Sequence, residues 1–467
     1  MADFDVIVLG AGPAGASAAL VAAAAGMKVA LFDENPAQNP ATPGQGHAFT
    51  TGTVRTFFAH QVWSVTGDFR IDAIGASGPV HCTARALVVA TGATERVVPF
   101  EGWTTPGVIG LAAASLLLES QQVLRGAPSG TPSGTPSGRS TLIAGCGPLL
   151  AEVAARTLAA GGKLDAIADL ASAREWMRML PATLAQPERL WRGIGWLRTL
   201  RRARVPLLAR HTILKVEPVG ERLRVTLAPC DAAGRPAAGK RRTSLVDCVA
   251  VGHGFTPATE VTRLLRAAHR YARAAGGWIA ITDQDGRTSR PRLYVAGDAA
   301  GIADASAAAT HGASAALACA LELGAADRMR LARQLQAART RHRRAARFGR
   351  ALAQLMALRA GHVDAIGPQT IVCRCEDTTC ADVEAAFQSG AGDLNQLKAW
   401  TRCGMGPCQG RTCGDIVGEL LAQRTRERSR EYVGCFSART PLRPVALEAL
   451  TGEFSYADIP IPAAAPI

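Results

Sequence analysis

The run Phe4-Asp-Val-Ile-Val-Leu-Gly10 and its continuation Gly10-Ala-Gly12-Pro-Ala-Gly15 constrain the fold more than any other stretch of these 467 residues. An alanine-rich helical pattern follows to Gly26, and a second apolar strand from Val29 runs into Asp33-Glu34. Glycines at these spacings acquire meaning only in such a strand–turn–helix–strand setting. Gly10 permits the tight turn, Gly12 lets the backbone approach a pyrophosphate, and Gly15 lets helix and strand pack closely. The helix start, at Pro13 and Ala14, then faces the phosphates. Asp33 stands where a carboxylate accepts ribose hydroxyls, with Glu34 beside it. The expectation is an α/β domain that binds a dinucleotide.

Two later segments narrow the cofactor. Ala86-Leu-Val-Val-Ala-Thr91-Gly92 is a strand ending in Ala-Thr-Gly, and Arg292-Leu-Tyr-Val-Ala-Gly297-Asp298 is a strand ending in Gly-Asp before a long helix. With the N-terminal glycines these resemble the two-dinucleotide-binding-domain flavoproteins, the broad glutathione-reductase-like class. That resemblance implies FAD, with Gly297 and Asp298 at its ribityl chain or pyrophosphate and Thr91 and Gly92 on the turn back toward the flavin. Asp298 also reads as a helix N-cap. A second unit of the same type begins after a Ser-Gly-Thr-Pro tract at 126–139, which reads as a flexible loop. In Ser140-Thr-Leu-Ile-Ala-Gly145-Cys-Gly147-Pro-Leu-Leu150 the third glycine is replaced by Leu150, which must widen or tilt the helix–strand contact. The nearest acid is Asp169. The fold pattern survives and the NAD signature is damaged, leaving a working NAD(P)H site and a vestigial or other nucleotide site both open.

Six of the twelve cysteines fall between Ile371 and Gly414, among glycines and without histidine. Such a crowd holds a metal or cluster, or forms disulfides. No signal peptide is visible at the start, and the longest weakly polar run, Ala305 to Ala326, carries His311 and Glu322 and reads as a buried helix, not a membrane span. A cytoplasmic compartment is therefore expected, where metal binding is favoured over disulfides. The remaining cysteines are widely spaced, which argues against disulfide reductase chemistry. Cys373-x-Cys375, followed after 32 residues by Cys408, resembles the bacterioferritin-associated-ferredoxin-like 2Fe-2S domain; a four-cysteine zinc site is the rival. The run Arg402 to Cys413 resembles the same domain attached to anaerobic glycerol-3-phosphate dehydrogenases, where the position matching Cys403 need not be cysteine. This resemblance implies Cys373, Cys375, Cys408 and Cys413 as ligands and Cys403 as a spare thiol.

The net charge of +14 is concentrated, with nine arginines and no acid between Arg328 and Arg350. No nucleic-acid-binding motif accompanies it. The stretch is either a solvated helix face or a docking surface for an acidic partner. Residues 172–206 form a basic helical insertion whose Trp176, Trp191 and Trp196 read as packing residues in preference to a substrate cage. His253, between Gly252 and Gly254, lies beside the flavin or serves structure.

Taken with the stretch Ala90 to Val108, these features cover nearly the whole chain. They resemble the larger FAD-binding subunit of heteromeric amine and imino-acid dehydrogenases, a group that includes octopine and nopaline oxidases, D-hydroxyproline dehydrogenase, hydrogen cyanide synthase and heteromeric sarcosine or proline dehydrogenases. The resemblance implies a partner flavoprotein subunit of the D-amino-acid-oxidase type, where the C–N bond is oxidised, and often a small ferredoxin-like subunit. It implies a chain that passes electrons from flavin to a one-electron acceptor, in the cytoplasm or, through that acceptor, peripheral at the inner face of the membrane. The expected organisation is an FAD domain (1–125 and 247–326), the loop (126–139), a second Rossmann-type domain (140–246), a basic linker helix (327–370), a small helical 2Fe-2S domain (371–430) and a Pro-rich tail (431–467). The competing readings are an NAD(P)H-dependent reductase feeding an iron–sulfur acceptor and a redox-sensing or scaffold subunit. No residue stands out as a catalytic base.

Overall fold

The computed structural model describes residues 2–36, 54–118, 139–184, 186–425, 427 and 429–451. The Ser-Gly-Thr-Pro tract (except Arg139) and the tail beyond residue 451 lie outside them. The first sheet is parallel at its centre, with strands in the order Val54–Phe57, Val29–Phe32, Phe4–Leu9, Gly78–Val89 and Leu293–Val295. Both faces of Phe4–Leu9 are covered, which is why its sequence is almost continuously apolar. Val6 and Val8 pack under the helices Pro13–Ala24 and Ala305–Glu322, while Ile7 and Leu9 enter a second core on the other face. The 12-residue strand Gly78–Val89 serves two sheets. Its second half joins the parallel sheet, and its first half pairs antiparallel with Arg70–Gly75, which pairs with Gln61–Val65.

The second sheet is also parallel, in the order Leu207–Ala209, Lys163–Asp169, Ser140–Gly145, Cys248–Gly252 and Val108–Gly110. It reaches past 140–246 on both sides. Val108–Gly110 and Cys248–Gly252, which the sequence places in the first domain, hydrogen-bond into the second. An antiparallel meander, His211–Val219, Arg222–Pro229 and Arg242–Val246, closes one face of this core. The two chain crossings between domains, Ala93–Glu95 and Phe255–Pro257, run side by side as an antiparallel pair. In the insertion, Trp176 packs against a core, whereas Trp191 on the helix Pro187–Arg202 is 64% exposed.

From Asp327, whose side chain caps it, the basic helix runs Arg328–Leu355. Leu331, Leu335 and Ala338 face the first core and Phe348, Leu352 and Leu355 face another, so the arginines are left on the outer side. Arg339 is turned inward, its two nitrogens 2.8 and 2.6 Å from the Asp285 carboxylate. A short helix, Ala360–Asp364, leads to the C-terminal domain of helices Cys380–Gln388, Leu394–Thr401, Gly414–Ala422 and Arg430–Val433. Its core includes Val372, Val383, Leu397, Ile416 and Leu420, and extends through Val433 and Phe436. This domain therefore continues beyond residue 430, because Phe436 closes it by packing on Gly404, Gly410 and Gly414.

Candidate functional site

The sequence-designated FAD residues converge at the carboxyl ends of the first sheet's parallel strands, where ligands bind in such folds. Gly10 has φ +99°, and a Cβ on Gly15 would lie 1.7 Å from the Gly10 carbonyl oxygen, so turn and helix meet as the motif requires. Gly12 differs from both, since a Cβ there would meet no protein atom within 4 Å. It sits extended at the start of helix Pro13–Ala24, with no side chain capping that terminus. The uncapped amides of Ala14 and Gly15 thus face a cradle shaped for an anion. The Asp33 carboxylate is fixed by Ala11 N–H (2.5 Å) and by the Asn35 backbone and side-chain N–H groups (2.8 and 2.9 Å). Oδ1 takes both Asn35 bonds and Oδ2 the one from Ala11, so Oδ2 retains a lone pair for a ribose hydroxyl. Glu34 points elsewhere, 3.7 Å from Arg443. Thr91 donates to the Ala258 carbonyl (3.0 Å), and Gly92 has φ +70° with open space where a Cβ would be. Gly297 needs its φ of +68° and its missing side chain, because a Cβ would lie 2.7 Å from Ala14. Burial pushes the Asp298 carboxyl up to about 6, although Ala303 N–H donates to it at 2.9 Å. Asp304, not Asp298, caps the long helix Ala305–Glu322.

The second fold presents the same glycines with the crevice filled. Gly147, the counterpart of Gly12, has φ +99°, and a Cβ there would lie 2.7 Å from the sulfur of Met356. Met356 also lies against Gly254. Asp169, the candidate ribose acid, accepts instead from the Trp176 indole (2.7 Å) and Ala171 N–H (2.8 Å), and burial pushes its carboxyl up to about 6. Leu150 is buried among Ile143, Val153 and Ile167, so the helix begins only at Leu149 and stands on a leucine where the first domain has a glycine. His253 is structural. Its Nδ1 accepts from Val98 N–H at 3.0 Å, its ring packs on His362, and burial holds its pKa well below the usual value.

The C-terminal thiols form a nest. The sulfurs of Cys373, Cys403 and Cys413 all lie within 4.8 Å of one another and are buried, with Cys403 and Cys413 3.8 Å apart. Cys375 is exposed and Cys408 half-buried, and the two interact at the rim. Thiols of Cys403 and Cys413 hydrogen-bond to Cys373 and hold its pKa far below the usual thiol range, and Cys413 does the same for Cys408, lowering it to about 4. The same hydrogen bonds and burial push Cys375, Cys403 and Cys413 up, so two thiols of the set give up protons readily and three hold them; the set is all sulfur, the ligand type of a thiolate-bound centre. Of the four designated ligands, Cys373 and Cys413 lie in the close buried group together with Cys403, which the family resemblance left aside; Cys408 joins it through Cys413, and Cys375 through Cys408. Cys380 packs in the domain core.

Between flavin domain and thiol domain stands Arg96, which motif reading passed over. Its side chain is 1% exposed, and Nε donates to Asp415 at 2.8 Å, Nη1 to the Met356 carbonyl at 3.3 Å and Nη2 to the Gly276 carbonyl at 2.5 Å. Arg273 adds a second tie, with one nitrogen 2.7 and 2.9 Å from the two Glu419 oxygens. The signal for Arg96 was present as a charge, next to Glu95, that opens directly on the apolar run Val97-Val98-Pro99-Phe100.

Residues 4–312 match the pyridine nucleotide-disulphide oxidoreductase family, and residues 368–453 match the sarcosine oxidase A3 domain. The chain is 33% identical to an opine oxidase subunit of Agrobacterium tumefaciens over 489 residues, spanning 96% of this chain and 92% of that one. It is 30% identical to hydrogen cyanide synthase subunit HcnB of Pseudomonas aeruginosa, over 95% and 97% of the two chains. The crystal structure of L-proline dehydrogenase from P. horikoshii shares the fold, with TM-score 0.64 at 19% identity, covering 96% of this chain and 79% of that one.

Proposed function

Because the chain belongs to the pyridine nucleotide-disulphide oxidoreductase family, in the group of the opine oxidase subunit and hydrogen cyanide synthase subunit HcnB, we propose that it is the FAD- and 2Fe-2S-carrying subunit of a heteromeric dehydrogenase. The donor is a secondary amine or an amino or imino acid of the D-hydroxyproline, opine, sarcosine, proline or glycine type. A D-amino-acid-oxidase-like flavoprotein subunit oxidises it, with a small ferredoxin-like subunit completing the assembly. Among the described residues no helix is long and apolar enough to cross a membrane. The reading places the assembly in the cytoplasm, reaching the membrane face only through its electron acceptor.

The observation that carries this reading is the contrast between the two glycine loops, the first opening on free space at Gly12 and the second stopped by Met356. It favours one bound dinucleotide, FAD, and speaks against the NAD(P)H-dependent alternative. Gly12, Ala14 and Gly15 would hold the pyrophosphate, Asp33 the ribose, and Gly92, Gly297 and Asp298 the part leading to the flavin. Cys373, Cys375, Cys408 and Cys413 would hold the cluster, with Cys403 as the adjoining fifth thiol. FAD bound there takes up an electron pair and releases electrons singly, the form a 2Fe-2S centre accepts.

The test is co-purification with the products of neighbouring reading frames, followed by assays of proline analogues, opines, sarcosine and glycine with an artificial acceptor. Amine-dependent reduction and indifference of the flavin to anaerobic NADH and NADPH are expected. Rapid bleaching by either nucleotide, or no activity on any amine, overturns the reading. For the ligands, Cys408→Ser or Cys413→Ser should abolish the reduced-cluster paramagnetic resonance signal, and Cys403→Ser should spare it.

A further inference from the structure

A cavity of about 80 Å³ lies where the flavin domain meets the thiol domain. One wall is the segment Thr256–Glu260, which follows the Phe255–Pro257 crossing and hydrogen-bonds the Thr91–Gly92 turn through Ala258. The opposite wall is Gln409–Arg411, inside the Cys408–Cys413 loop. The cavity is thus bounded by both cofactor-binding loops.

Its lining is rich in cations and in unpaired donors. Arg263, Arg411 and Arg430 face it, with Trp278. The Arg430 side chain is only 4% exposed, yet its Nε and Nη1 have no hydrogen-bond acceptor. The same holds for Arg263 Nε and for the Trp278 indole N–H. Leaving a buried charged donor unmatched costs more than leaving a neutral one, so unpaired donors on three residues that line one cavity require explanation, although the Arg430 guanidinium also lies 4.8 Å over the Tyr271 ring. The carboxylates nearby are already engaged. Asp415 lies between Arg96 (2.8 Å) and Arg430 (3.3 Å), and Glu260 is 2.9 Å from Arg411. Three guanidinium groups thus share two carboxylates, and Arg263, which donates to the Phe436 carbonyl, has no ion pair.

We propose that this cavity binds a small carboxylate anion, bridged by Arg263, Arg430 and the Trp278 indole N–H. A carboxylate offers about four acceptor positions in one plane, which suits guanidinium forks better than a spherical ion does. The space admits a molecule the size of formate or acetate, not a nucleotide. An anion held there adds a fixed negative charge beside the Cys408–Cys413 loop. The inference stands on the cavity alone and needs neither the amine-dehydrogenase reading nor a loaded cluster.

Acetate is the probe. The purified chain is titrated with sodium acetate against sodium chloride at equal ionic strength, with binding read by calorimetry, and crystals grown in acetate locate the ligand. Wild-type protein should bind acetate at one site, and Arg263→Gln and Trp278→Phe should each weaken it, the arginine variant by about tenfold or more. Trp278→Phe retains an apolar ring, so it reports binding even where the arginine variant is poorly folded. The proposal is overturned if only water bridges the three donors in acetate-grown crystals, or if both variants bind as tightly as wild type.

Discussion

Replacing Arg96 by methionine removes a side chain that grips three parts of the chain together, at Asp415, Met356 and Gly276. Methionine keeps much of the stem volume, so the cost is electrostatic and not that of a cavity. Asp415 is left with Arg430 alone at 3.3 Å, and the carbonyls of Met356 and Gly276 lose their donor. Removing one partner of a buried pair costs about 3–5 kcal/mol. The surviving Arg430 contact moves the value to the lower end, about 3 kcal/mol; the Gly276 carbonyl adds about 1 kcal/mol and the longer 3.3 Å contact with Met356 adds little. An expected loss of about 4 kcal/mol is large beside the roughly 5–15 kcal/mol that stabilises a domain. It should fall on the docking of the C-terminal domain, because Asp415 opens helix Gly414–Ala422, whereas the hydrogen bonds of the Arg96 side chain go to Asp415, Met356 and Gly276 and not to Phe4–Leu9. Hydrogen exchange followed by mass spectrometry reads this directly. Amides of Gly414–Ala422 should exchange several hundredfold faster in the variant, the equivalent of about 4 kcal/mol, with those of Phe4–Leu9 unchanged. Arg96→Lys, which keeps the charge and loses the fork, should fall between. Exchange within threefold of wild type in Gly414–Ala422 would refute the idea that this arginine holds the domain.

The two glycine loops predict opposite phenotypes. Gly12→Val should abolish the flavin absorbance of the purified protein while shifting the apoprotein melt by only about 1 kcal/mol, since the new side chain enters free space at a helix cap. Gly147→Val should leave flavin content intact and cost about 2–3 kcal/mol, from its positive φ and its collision with Met356. A pH dependence follows from Glu95, whose carboxyl burial pushes up to about 7 although Ala112 N–H donates to it at 2.7 Å. Below the unfolded value near 4.5 both states are protonated and there is no penalty; it grows with pH and is complete above about 7, at about 3 kcal/mol. Glu95→Gln should therefore melt higher than wild type at pH 8 and nearly alike at pH 4, and equal melts at pH 8 would remove burial as the cause.

What could be read from residues alone was what local spacing controls. Gly10, Gly12 and Gly15 act on neighbours within one turn, and the thiols announce themselves by crowding. What escaped depends on distant segments. Val108–Gly110 has three residues of strand and no periodicity to mark it, so its membership of the second sheet is decided by pairing with Cys248–Gly252. The fate of the second glycine loop was decided by Met356, more than two hundred residues downstream, and by Trp176, which took the acid meant for a ribose. Leu150 did signal a departure, and its burial with Ile143, Val153 and Ile167 shows the form taken: the side chain packs into the core of the second fold. Cys403 was set aside on family spacing, yet folding brings it 3.8 Å from Cys413.

Met356 has a further consequence. Its thioether lies against Gly147 of the second fold, while its carbonyl accepts from the arginine that anchors the thiol domain. One residue at the end of the basic helix is thus both stopper and mooring. A group entering the second fold beside Gly147 would have to displace that thioether. Any change that reopened that crevice would act on the same residue whose carbonyl helps hold the C-terminal domain in place.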